Sequence, residues 1–167
     1  DIKRFTIITE RFSNIGSKPK LEYIDLLKLI YKSIDYLKKR SSSKIIFIVE
    51  STVESAKVKI NKELLGWAIE NICKNSIDAV GEKGSIKIKV DSKKNKLLID
   101  ITDNGKGIEK NQFINIFNPG ISTKKRGWGL GLSLTKRIIE EYHNGKIFVL
   151  KSLKGIETTL RIILPKM

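Results

Sequence analysis

Three stretches of this chain place polar residues and glycines at spacings that suit chemistry. In Glu63 to Val80, a helical repeat brings Asn71, Asn75 and Asp78 within roughly 60° of one another. Leu65, Ile69, Ile72, Cys73 and Val80 gather on the opposite side. Asn and Asp compete with the backbone for hydrogen bonds and are poor helix-interior residues. A merely solvated face in so lysine-rich a chain would carry Lys and Glu. Short amides instead suit a surface that approaches a ligand or a metal's oxygen shell; a plain polar face is the competing reading. In Leu97 to Ile108, an apolar strand runs into Asp103, and Gly105 and Gly107 bracket one position. A carboxylate at a strand end can accept a hydrogen bond from an amino group such as an adenine N6, and glycines let a backbone pass close to a ligand. A simple Asp-Asn-Gly turn has the same spelling. In the third stretch, Gly127-Trp128-Gly129-Leu130-Gly131-Leu132 leads into a helix. Three alternate glycines exceed what a cap needs, and amides at a helix N-terminus cradle phosphates. The spacing is not a Rossmann fingerprint, and the Gly-Lys-Ser/Thr of a P-loop is absent. Ser122, Thr123, Lys124, Lys125 and Arg126 stand just before it, the densest positive run in the chain, and tilt the reading toward phosphate contact.

The elements that must position these residues follow from periodicity. Asp1 to Ile15 has helical spacing through Ile2, Phe5, Ile8 and Phe12, then meets the breakers at 13–17 and Pro19. A helix with no cap before it reads as the end of a longer one. Glu22 to Leu37 predicts a helix, Lys44 to Val49 a strand, and Lys62 to Val80 a long helix ended by Gly81 and Gly84. Ser85 to Val90 and Leu97 to Ile101 are strands about a polar turn. Gln112 to Phe117 is a short helix, Asn118 to Trp128 a loop, and Leu130 to Tyr142 a helix capped by Asn144-Gly145. Lys146 to Leu150 and Thr158 to Leu164 are the last strands. Hairpin-like pairs mixed with helices predict an α+β fold, a two-layer sandwich with a mixed sheet of about five strands and helices on one face.

Composition narrows the classes. With 167 residues, 40% of them apolar and 31% charged, the chain suits one folded domain and not a typical disordered segment. No stretch approaches the roughly 20 apolar residues of a membrane helix, and no secretory pattern opens the sequence. The single Cys73 excludes an internal disulfide framework, and the single His143 leaves little room for histidine metal sites or a Ser-His-Asp triad. A net charge of +15 favours an anionic partner. Most lysines, such as Lys18, Lys28, Lys59 and Lys87, are spread along the chain as on a solvated surface. The aromatics do not interleave with basic runs as nucleic-acid stacking platforms do.

In this order and at these separations, the three stretches resemble the GHKL superfamily of ATP-binding domains, most closely the catalytic domain (CA, HATPase_c) of bacterial sensor histidine kinases. Asn71 and Asn75 match the N-box. Asp103, Gly105 and Gly107 match the G1 box, Phe113, Phe117 and Pro119 the F-box region, and Gly127, Gly129 and Gly131 the G2 box. The closing strand Glu157-Thr158-Thr159-Leu160-Arg161-Ile162 is similar too, with Glu157 where a glycine is common. The resemblance covers about residues 22 to 165. It implies the Bergerat ATP-binding fold over residues 17–167, with 1–16 the remnant of a helical dimerisation and phosphoacceptor domain. It implies ATP and Mg²⁺ as cofactors. Asp103 would bind the adenine amino group, with Thr158 nearby through water. Asn75 would ligate Mg²⁺ with Asn71 assisting, and Lys74 and Asp78 would support the pocket. Asn118 to Arg126 would form a lid from which Lys124 reaches the terminal phosphate, and Gly127 to Gly131 would hinge it. Ile108, Phe117, Thr123, Trp128, Leu130 and Leu132 complete the implied nucleotide contacts.

One position discriminates within the superfamily. Gyrases, mismatch-repair ATPases and the large heat-shock chaperones place a glutamate four residues before the metal-binding asparagine. Here that position is Asn71, which cannot act as a general base. Glu70 lies about 100° away around the helix. The resemblance therefore implies phosphoryl transfer to a protein histidine, carried by positioning and charge stabilisation. The acceptor would lie on the upstream dimerisation domain. His143, at a helix end, reads as a residue favoured there by the macrodipole. Also implied are a response-regulator receiver domain as downstream partner and a homodimeric full-length protein anchored in the bacterial inner membrane. This domain would then be cytoplasmic, monomeric as a fragment, and without a nucleic-acid partner. Two other readings stay open: a serine kinase of the anti-sigma type, which shares the boxes but needs no preceding helical hairpin, and a basic nucleic-acid-binding module.

Overall fold

Two capping side chains set the helical layer of the computed structural model, which describes residues 19–120 and 131–166. Asn61 stands before helix α2 (Lys62–Val80), and its Oδ1 accepts the Leu64 N–H at 3.0 Å. Asp25 does the same for α1 (Leu26–Lys38) by accepting the Leu27 N–H at 3.0 Å. Such caps satisfy otherwise orphaned N–H groups and are worth about 1 kcal/mol each. α1 buries Leu26, Ile30, Ile34 and Leu37 at helical spacing.

Asp25 also ends a short strand, β1 (Glu22–Asp25), which pairs antiparallel with β3 (Lys57–Ile60). The expected helix from Glu22 therefore starts four residues late. β1 and β3 together form a two-stranded sheet that the sequence pattern did not reveal.

The main sheet contains all five predicted strands: β2 (Ile45–Ser51), β4 (Gly84–Lys93), β5 (Lys96–Asp103), β6 (Lys146–Leu153) and β7 (Glu157–Pro165). Their order is β2-β4-β5-β7-β6. β2 and β4 run parallel and every other pair antiparallel, so the sheet is mixed as expected. One face carries Ile86, Ile88, Val90, Leu97, Ile99, Ile101, Leu160 and Ile162, all buried. α1 and α2 pack over that face, α2 contributing Leu65, Ile69, Ile72 and Cys73. The other face is polar at its centre. There Arg161 grips Asp100 with two bonds, Nε to Oδ1 at 2.7 Å and a second guanidinium nitrogen to Oδ2 at 2.8 Å.

Helix α3 (Gly131–Arg137) is shorter than the predicted helix to Tyr142. It widens into a π turn over Ile138–Tyr142 before Asn144 reverses the chain with φ 53°. The predicted short helix at Gln112 to Phe117 resolves into two 3₁₀ turns, Lys110–Gln112 and Asn115–Phe117. The expected N-terminal helix with its domain boundary, and the expected contacts Thr123, Lys124, Gly127, Trp128, Gly129 and Leu130, lie outside the described residues.

Candidate functional site

Asp103 is the last residue of β5 on its helix-facing side, beyond Leu97, Ile99 and Ile101. It is 5% exposed. Its Oδ1 accepts the Gly105 N–H at 2.9 Å, and the Ser76 hydroxyl of α2 bonds the same carboxyl. Burial pushes its pKa above the ordinary 3.8, against the opposing pull of those two hydrogen bonds. Both partners are neutral, and no ion pair reaches Asp103 among the described residues. A carboxylate offers about four lone-pair sites, so this one retains capacity for another N–H donor.

Its cross-strand neighbour on β7 is Thr158, which is 3% exposed. The Thr158 and Ser152 hydroxyls share a hydrogen bond of 2.8 Å, and Ser152 Oγ also accepts the Ile108 N–H at 2.8 Å. The β6–β7 hairpin thus ties down the loop that follows Asp103. Gly155 N–H adds a bond to the Gly105 carbonyl at 2.8 Å.

The two glycines are expected to let the backbone approach a ligand. In the structure they also let it pack closely on protein. A Cβ on Gly105 would sit 2.4 Å from the Ala79 carbonyl carbon, at the end of α2. Gly107 adopts φ +80°, and a Cβ there would meet Lys154 Cα at 3.1 Å. The glycines make the loop a rivet between α2 and the β6–β7 hairpin.

Farther back along α2, Asn71 donates from Nδ2 to Thr135 Oγ1 at 3.0 Å, and that hydroxyl donates to the Gly131 carbonyl at 2.8 Å. A Cβ on Gly131 would lie 2.9 Å from Asn71 Nδ2. Asn71 therefore joins the first turn of α3, where the glycine run ends, to the polar face of α2. Lys74 and Asn75 are half-buried on the same helix and Asp78 is exposed. Phe117 is buried with the Lys136 ammonium 5.6 Å from its ring centroid, and Ile108 and Leu132 pack on the core. One helix thus links Asn71, Asn75 and, through Ser76, Asp103, while Gly131 packs against Asn71 and Thr158 lies across the sheet from Asp103.

Sequence reasoning missed Ser76 and Ser152. Ser76 lies on the buried side of α2, where a small hydroxyl looks like filler. Ser152 is assigned only by the register that puts it across from Thr158. Among the described residues no group of three or more His, Cys, Asp or Glu could hold a metal. A hard cation here would take most of its oxygens from phosphate and water, as Mg²⁺ does, with an asparagine amide oxygen as protein ligand.

His143 needs a correction. It is 4% exposed, its Nε2 accepts the Asn61 N–H at 3.1 Å, and its Nδ1 lies 2.8 Å from the Ile138 carbonyl. Nδ1 must then carry the proton, and the ring is neutral. Burial lowers its pKa below 6.5. It is no helix-end cation; it ties the π turn to the cap of α2. Below pH 6.5 the unfolded chain binds a proton that the folded ring refuses, so His143's contribution to stability is lost as pH falls through that region. Urea midpoints measured from pH 8 down to pH 5.5 should therefore fall, and His143→Gln should flatten that slope. The raised pKa of Asp103 acts in the opposite sense at still lower pH.

The chain is similar to known proteins over most of its length. The family model described as histidine kinase-, DNA gyrase B- and HSP90-like ATPase matches residues 60–167. The sensor histidine kinase ZraS of Salmonella typhimurium is 33% identical over 147 residues, covering 87% of this chain and 31% of ZraS. The signal transduction histidine-protein kinase AtoS of Escherichia coli K12 is 38% identical over 127 residues, covering 74% of this chain and 20% of AtoS. The chain thus spans between a fifth and a third of these relatives. A solved structure of the catalytic domain of the histidine kinase ThkA superposes with a TM-score of 0.78 at 27% identity, covering 88% of this chain and 96% of that domain.

Proposed function

The chain belongs to the histidine kinase-, DNA gyrase B- and HSP90-like ATPase family, and from that premise we propose that it binds Mg-ATP and supplies the γ-phosphoryl group to a histidine on an upstream helical dimerisation domain. The observation that carries the reading is the convergence of Asn71, Asn75, Asp103, Gly131 and Thr158 about one helix and one sheet end.

In this reading Asp103 accepts from the adenine amino group through its spare lone pairs, while Gly105 and Ser76 fix the carboxylate. Thr158, held by Ser152, offers its hydroxyl to a water beside the base. Asn75 presents an amide oxygen to the metal, and Asn71 adds a second or holds α3 in register. When bound, Mg²⁺ would supply charge neutralisation for phosphoryl transfer. Lys74, Asp78, Ile108, Phe117 and Leu132 border the nucleotide. Thr123, Lys124, Gly127, Trp128, Gly129 and Leu130 furnish the lid side, with Lys124 toward the terminal phosphate.

The position of the hydrolytic base holds no carboxylate. Asn71 occupies the general-base position, and its amide is a hydrogen-bond donor to Thr135. His143 is not the acceptor, because both ring nitrogens are engaged inside the core. The receiver domain of a response regulator, a homodimeric full-length protein and anchorage to a bacterial inner membrane complete the proposal. Within the described residues, no helix is long and apolar enough to cross a membrane.

Incubated alone with labelled Mg-ATP, the chain should bind nucleotide and gain no stable label. Adding the helical domain that bears the acceptor histidine should produce label on that domain. Asn75→Ala should remove the Mg²⁺ dependence of binding and slow transfer by on the order of 100-fold to 1,000-fold, the usual loss for one electrostatic stabiliser. Stable label on His143, or Mg²⁺-dependent binding that survives Asn75→Ala, would contradict the assignment.

A further inference from the structure

The two edges of the main sheet are built differently. β6 is interrupted by a register shift between Val149 and Lys151, and it carries lysines at 146 and 151. Bulges and edge lysines are the devices that keep a strand from pairing with another molecule. β2 has neither. Residues 45–49 read Ile-Ile-Phe-Ile-Val, without proline or bulge, paired on one side to β4 in unbroken register. Among the described residues no strand pairs with its other side. Ile46 is 62% exposed and Ile48 41%, on the sheet face away from the helices.

The backbone on that side is ready to pair. The Thr52 N–H bonds the Val90 carbonyl of β4, so the even-numbered residues of β2 turn their polar groups inward. Phe47 and Val49 therefore turn theirs outward, as does Ile45, whose N–H is taken by the Ser42 carbonyl at 3.1 Å.

We infer that β2 pairs antiparallel with β2 of a second copy, about a two-fold axis at Phe47, joining two five-stranded sheets into one. The strand is self-complementary in that register and its hydrogen-bonding parity is correct. Phe47 N–H donates to the Phe47 carbonyl of the other copy, and Val49 N–H to the other Ile45 carbonyl, four bonds in all by symmetry. On the open face Ile46 meets Ile48 twice, and Lys44 meets Glu50 twice, in the closer, non-hydrogen-bonded positions. Lys44 and Glu50 have no ion-pair partner among the described residues. Lys89, the register neighbour of Glu50 on β4, flanks that carboxylate from its own chain. Because the contact is isologous it closes at two copies and does not propagate. It replaces the expectation of a strictly monomeric fragment with a weak dimer. The body charge of +15 on each copy opposes it, so it needs an ionic strength at which the Debye length is about 8 Å.

Sedimentation equilibrium of the whole chain in physiological salt, from micromolar to millimolar, tests this. The weight-average mass should climb from 19.0 kDa toward twice that value. Lys44→Glu and Glu50→Lys, each alone, place like charges opposite one another at both ends and should weaken dimerisation at least about tenfold. An equimolar mixture of the two variants should recover it as a heterodimer, since every facing pair is then opposite in sign. Val49→Pro removes an outward N–H that the chain's own sheet does not use and should abolish the dimer while the circular dichroism spectrum is kept. A mass of 19.0 kDa at every concentration overturns the inference, as does a dimer indifferent to the charge variants or a mixture that fails to associate.

Discussion

Asp103→Asn should weaken ATP binding by about 10-fold to 100-fold while leaving the nucleotide-free domain at least as stable as before. The affinity loss follows from the donor and acceptor inventory. A hydrogen bond to a charged acceptor contributes about 1.5–3 kcal/mol, and each 1.4 kcal/mol is a factor of about ten. The asparagine amide can keep one oxygen on the Gly105 N–H, and its NH₂ can donate to a rotated Ser76 hydroxyl. What it cannot offer is an acceptor on the remaining side, so the adenine amine would face a donor.

The stability half follows from the raised pKa. A carboxyl whose folded pKa lies above 3.8 stabilises the fold only while protonated. That contribution is lost as pH rises through the folded value, so at pH 7 the wild-type chain carries the full cost of a buried charge and the amide carries none. Calorimetric titration with an ATP analogue and thermal melting of the free protein read the two halves separately. Affinity within threefold of wild type would remove Asp103 from the binding site. A matched fall in melting temperature would make it a structural residue. GTP should compete poorly in the wild-type protein, because its ring oxygen would set acceptor against carboxylate.

How far such a site can be read from sequence depends on how its residues declare themselves. The five strands of the main sheet announce themselves by β-branched and apolar runs bounded by turns, such as Ile45 to Val49 and Leu97 to Ile101. The long helix declares itself through its helical repeat from Lys62 to Val80 and its stop at Gly81. β1 and β3 have only four residues each, too few to distinguish period two from helical spacing. Asp25 was nevertheless a readable cap signal, and heeding it would have moved the start of α1 to its observed place. Asp103 and Asn71 could be picked out because an acid beside two glycines and short amides on one helix face are unusual, whereas Thr158 entered only as what the family resemblance implies. Ser76 and Ser152 could not, since their roles exist only through contacts across the fold. Nor could His143 be read as neutral, because a histidine after a helix looks like a cation until the Asn61 N–H is found pointing at it. The packing role of Gly105 and Gly107 is hidden for the same reason: sequence shows that a side chain is missing but not what fills the space.

Gly105→Ala should be the most damaging single-methyl addition among the described glycines of the site, at about 3 kcal/mol or more. The new Cβ would sit 2.4 Å from the Ala79 carbonyl carbon, 2.5 Å from its oxygen and 2.8 Å from its Cβ. Neither partner can swing aside. The Ala79 carbonyl is held by the Lys106 N–H at 3.0 Å, and the Gly105 carbonyl by the Gly155 N–H at 2.8 Å. Relief requires the loop to lift from the end of α2, which withdraws the Gly105 N–H from Asp103 and lowers nucleotide affinity along with the melting temperature. The nature of the obstacle supplies the control. Adding Ala79→Gly removes one of the three close atoms and leaves both backbone atoms, so the double variant should recover little of the loss. Gly131→Ala gives the contrasting case. Its nearest obstacle is the end of the Asn71 side chain at 2.9 Å, which can turn away by giving up its bond to Thr135. That variant should cost no more than about 1 kcal/mol, the worth of one hydrogen bond. Chemical denaturation of the three variants orders them, and a Gly105→Ala protein as stable as Gly131→Ala would mean that the loop does not rest on α2.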